Sequence, residues 1–95
     1  MNKFETKIEQ LVAQAMILLY QENFLKEKYQ EKAKTNPNIS DMPEYQLYFK
    51  CLENKYNTFN QLDKLQKQFL KAGYSLEAWV NIYNRYVDIC REIYA

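Results

Sequence analysis

Few side chains in this sequence could carry out chemistry. Cys51 and Cys90 are its only thiols and Ser40 and Ser75 its only serines, and histidine is absent. A serine or cysteine nucleophile takes its reactivity from a neighbouring base, most often an imidazole, so neither a Ser-His-Asp nor a Cys-His constellation can be assembled. Helical di-iron cages need Glu-x-x-His pairs, and zinc sites need closely spaced Cys and His, which the two isolated cysteines do not provide. One glycine, Gly73, cannot make a Gly-rich phosphate loop, and calcium-loop spacing is missing. These residue types predict a non-enzymatic protein with no cofactor and no metal. The cysteines read as two reduced, buried thiols of a cytoplasmic protein.

Charge offers two more candidates. Glu22 and Lys26 fall on an otherwise apolar helix face, four apart with the acid first, the favourable order for a helical ion pair. Lys3 and Lys7 would meet Lys64, Lys67 and Lys71 if the first two helices run antiparallel, making a basic corner beside Tyr74. Phosphate contacts with aromatic stacking could hold a single strand there. Acids interleave with these lysines at Glu5, Glu9, Asp63 and Glu77, and the net charge is only +1 from 13 basic and 12 acidic residues. A solvated face is therefore the first reading of the corner, and a nucleic-acid-associated protein the alternative.

The elements that must position these groups are helices. One Gly, two Pro and few Val or Thr argue against strands, so the expected fold is all-α, a small antiparallel bundle of two long helices and a shorter C-terminal one in a single domain, 1-95. The first helix spans about 3-34 and stops at Thr35-Asn36-Pro37-Asn38, where proline cannot continue it. The second spans about 42-72, with Asp41 as N-cap and Glu44 three residues on, and it ends at Gly73 in the left-handed position with Tyr74 folding back on Phe69. Its apolar stripe swings near Asn57-Thr58-Phe59-Asn60, which predicts a kink or break between Asn57 and Asn60, with a continuous helix as the other outcome. The third spans about 76-94 behind Ser75 as N-cap. Its apolar half-cylinder suits a groove between two neighbours.

The bundle is organised around Leu11 to Tyr20, apolar at nine of ten positions. Such a helix must be covered on every side, and ten residues are too few to span a bilayer, which needs about 20. No membrane partner is expected. One face of the first helix meets the core, while Ala13, Ile17, Tyr20 and Phe24 form a stripe on the opposite side. The third helix is too short to reach the far end of the long hairpin, so Tyr29, Tyr45, Tyr48, Phe49 and Leu52 would face water there with Leu25 and Leu47. These surfaces predict a protein-protein interaction module, an adaptor or inhibitor, that forms a homodimer or docks on a heterologous protein partner. The Lys-heavy, Tyr-rich usage is what an AT-rich coding sequence would give, as in a phage or plasmid accessory protein.

Overall fold

The computed structural model describes residues 3–94 and folds them into three α-helices: α1, Lys3–Ala33; α2, Pro43–Lys71; and α3, Leu76–Tyr94. One turn of 3-10 helix, Ile39–Asp41, precedes α2, and the described residues contain no strand. After α1, the amides of Thr35 and Asn36 both donate to the Lys32 carbonyl at 3.1 Å. The Asn36 side chain accepts from the amide of Asn38 at 3.0 Å, closing a turn around Pro37.

The expected Asp41–Glu44 cap at the start of α2 is not formed. Asp41 belongs to the 3-10 turn, Met42 is the N-cap in extended conformation with no side-chain cap bond, and Pro43 stands in the first turn. Met42 is buried, and Glu44 is drawn away to Lys32 at 2.5 Å, so burial and a cross-helix ion pair replace the side-chain cap.

Of the two forms expected for α2, the structure takes the continuous helix. Thr58 is fully buried at its middle; its hydroxyl donates to the Asn54 carbonyl at 2.8 Å and accepts from the Gln14 amide at 3.0 Å. A weak helix former thus becomes a tie to α1. The end of α2 is the Schellman arrangement: Tyr74 N donates to Phe69 O, Gly73 N donates to Leu70 O, and Gly73 lies at φ +101°. The Tyr74 ring stacks on Phe69 at 4.6 Å. Ser75 then caps α3, its Oγ accepting from the amide of Ala78 at 3.1 Å.

α1 and α2 form an antiparallel hairpin, as the ties Gln14–Thr58, Glu22–Lys55 and Lys32–Glu44 show, one number rising as the other falls. Its core joins Ile8, Val12 and Ala15 of α1 to Leu62, Leu65 and Phe69 of α2, with Trp79 of α3 closing the end. Phe69 is fully buried, in edge contact with Phe4 and Trp79, so all three helices meet on one ring.

α3 does not lie in a groove shared equally by the other two helices; it packs chiefly on α1. Glu5 bonds Arg85, and Tyr83, Tyr86 and Val87 close over the core. The outer parts of its wide apolar arc stay open, with Val80, Ile89 and Ile93 exposed. At 19 residues α3 is about 28 Å long, against about 46 Å for α1, so it covers only part of the hairpin. The molecule measures 55 × 25 × 17 Å with a radius of gyration of 16.7 Å.

Candidate functional site

The hairpin face turned away from α3 carries the open surface. Lys7, Gln14 and Gln21 recur at seven-residue spacing and so share one line along α1. Lys7 stands two positions after Glu5, the partner of α3, which places this line about 160° round the helix from that contact. Two hollows lie along the line, between α1 and α2, one on each side of the Gln14–Thr58 hydrogen bond.

The larger hollow has a volume of about 640 Å³. Tyr20, Gln21, Phe24 and Leu25 form its α1 wall, and Leu47, Lys50, Cys51 and Asn54 form its α2 wall. Phe24 is 59% exposed and Leu47 55%, and Ile17 is exposed beside them. The smaller hollow, of about 330 Å³, lies between Lys7, Gln10 and Leu11 on α1 and Gln61, Lys64, Leu65 and Gln68 on α2. One end of the face is therefore apolar and aromatic, the other amide and lysine.

Cys51 sits at the floor of the larger hollow with its thiol 3.2 Å from the Leu18 carbonyl, to which it donates. Burial pushes the thiol above its ordinary range, and the nearby Glu22 carboxylate adds to this against the opposing pull of Lys55. It is thus a poor nucleophile at neutral pH. Glu22 is paired across the helices with Lys55 at 2.6 Å; the expected partner Lys26 is exposed. The antiparallel register decides this, because it brings Lys55 to the half-buried carboxylate. At the far tip the hydrogen bond from Lys32 holds Glu44 below the usual carboxylate range, helped by the backbone amide of Glu44. On α3, burial raises the Tyr83 phenol, with a smaller push from Asp63.

The nine residues expected at a protein interface fall into two groups. Ala13, Ile17, Tyr20 and Phe24 run along α1, with Tyr20 and Phe24 in the wall of the larger hollow. Tyr29, Tyr45, Tyr48 and Phe49 pack on one another instead, with ring centroids 5.0 to 5.3 Å apart along the chain Tyr48–Tyr29–Tyr45–Phe49. Of these only Phe49 is strongly exposed; Tyr29, Tyr45, Tyr48 and Leu52 are half-buried. Among the lysines, Lys7 and Lys64 share the smaller hollow, while Lys67 and Lys71 do not line it, and Lys3 lies over the Phe4 ring at 5.8 Å. The stacking of Tyr74 on Phe69 commits that ring to the bundle.

Sequence reasoning missed Gln21, Lys50, Cys51 and Asn54. The recurrence of Leu47, Asn54, Gln61 and Gln68 at seven-residue spacing is the signal that could have exposed the α2 wall. Among the described residues no three Cys, Asp or Glu side chains gather where a metal ion could bind, and no helix is long and apolar enough to cross a membrane. Compared with protein-family models, curated proteins and solved structures, the chain matches none.

Proposed function

We propose that this chain is a non-enzymatic interaction module that docks a helical protein surface, a second copy or another protein, on the α1/α2 face opposite α3. The observation that carries this reading is the hollow of about 640 Å³ walled by Phe24 and Leu47, both more than half exposed. Large apolar side chains around a concave surface lose water when a partner's apolar stripe enters, at about 25 cal/mol per Å² covered. A face between two helices is shaped to receive a third.

The experiment is fluorescence of a hydrophobic dye together with light scattering, on the wild type and the Phe24→Asp, Leu47→Asp double variant. The wild type should bind the dye or self-associate. The variant should lose either behaviour several-fold while its unfolding free energy stays within about 1 kcal/mol of the wild type, because both sites are exposed. A wild type with neither behaviour would sink the proposal. The meeting of Lys7 and Lys64 in the smaller hollow favours a second reading, phosphate-backbone binding. That reading predicts salt-sensitive retention of an oligonucleotide that disappears with Lys7→Glu plus Lys64→Glu.

A further inference from the structure

Resting on the docking reading above, we infer that the occupant of the α1/α2 face is a foreign amphipathic helix of about 18 residues with acidic flanks. The length follows from the face: its lining runs from Lys7 to Leu25 on α1, about 27 Å at 1.5 Å per residue. The apolar stripe follows from the larger hollow, whose walls are mainly aromatic and aliphatic.

The acidic flanks follow from charge. Lys7, Lys50 and Lys64 line the two hollows, and no Asp or Glu does. None of the three lysines makes an ion pair among the described residues. Three carboxylates of the bundle are committed to other cations, Glu22 to Lys55, Glu44 to Lys32 and Glu5 to Arg85 of α3. A partner bringing carboxylates thus finds unpaired cations at both ends of the face, and a partner bringing lysines meets like charge in both hollows, neither of which a carboxylate lines.

The same pattern disfavours a second copy. A two-fold dimer sets a patch against itself, so the lysines of the two hollows would meet identical hollows that no carboxylate lines. It also disfavours nucleic acid, because the larger hollow offers apolar walls and a single cation, Lys50, where phosphates would need several.

The test uses two fluorescein-labelled synthetic helices of about 18 residues with the same leucine stripe, one flanked by Glu and one by Lys, titrated with the full chain by anisotropy at low and high salt. The Glu-flanked helix should bind about tenfold more tightly, a preference that shrinks with salt and is lost in the Lys7→Glu, Lys50→Glu, Lys64→Glu variant. Phe24→Asp should weaken both helices. Equal binding, or preference for the Lys-flanked helix, overturns the inference while leaving helix docking in place. If neither helix binds and light scattering shows a dimer dispersed by Phe24→Asp, the occupant is a second copy and the inference fails. If neither binds and a single-stranded oligonucleotide is retained through the three lysines, both the inference and the docking reading fail.

Discussion

Phe69→Ala should remove roughly half the stability of the fold. Phe69 is 0% exposed, and its ring touches Phe4 at 5.6 Å, Tyr74 at 4.6 Å and Trp79 at 5.7 Å, one partner from α1, one from the turn after α2 and one from α3. Truncating a buried Phe to Ala costs about 3 to 5 kcal/mol, the lost transfer energy plus the cavity left behind. Lost ring pairs, each worth about 0.5 to 1.5 kcal/mol, push this site to the upper part of that range. A chain of 95 residues has a total stability of about 5 to 14 kcal/mol, and a thin core places it low. The melting temperature should therefore fall by at least about 12 °C. Urea unfolding followed by far-UV circular dichroism reads the helices. Emission from Trp79, the one tryptophan, reads the docking of α3 and should shift to the red even where the helices persist. Phe24→Ala, at a site 59% exposed, is the control and should cost under about 0.5 kcal/mol. A loss below about 1 kcal/mol for Phe69→Ala with native Trp79 emission would refute the idea that one ring joins the three helices.

Two further predictions follow from the caps and the titrating groups. Gly73→Ala should cost about 1 to 2 kcal/mol in urea unfolding from backbone strain alone, because φ is +101° and an added Cβ would meet nothing within 4 Å; an unchanged midpoint would contradict the cap. The raised thiol of Cys51 keeps its proton in the folded chain at pH values where the unfolded chain has lost it. Its stabilising contribution is complete below the ordinary thiol value and declines as pH climbs from there towards the higher native value. Unfolding midpoints taken from neutral to alkaline pH should fall less steeply for Cys51→Ala than for the wild type, and identical slopes would exclude the effect.

How legible each part was depends on how local its cause is. Gly73 after a long helix, and Ser75 before the next, are decided by the geometry of one turn, and both caps form as the residues imply. The continuity of α2 could not be read in the same way. Asn57 and Asn60 weaken the helix locally, yet Thr58 is held by Gln14, 44 residues away, a bond that exists only once the hairpin has formed. Glu22 and Glu44 likewise left their helical neighbours for lysines supplied by the antiparallel register. The width of an apolar arc did not reveal the placement of α3, because the arc says how much could be covered and not by whom; Phe69, Trp79 and the Glu5–Arg85 pair set that position. The exposed α1 stripe was readable from periodicity, whereas the wall opposite it required knowing which residues of α2 stand across the hairpin.

The elongated outline has a consequence for any attempt to count chains by radius of gyration. A compact domain of 95 residues has a radius of gyration of about 12 Å. The 16.7 Å of this molecule is what a sphere-like domain of about 200 residues would show. One copy therefore has the radius of gyration of a compact protein of about twice its mass, and a small-angle scattering radius taken alone would be read as a compact dimer. Stoichiometry for this chain has to be weighed by scattered intensity; the radius of gyration alone would report two molecules where there is one.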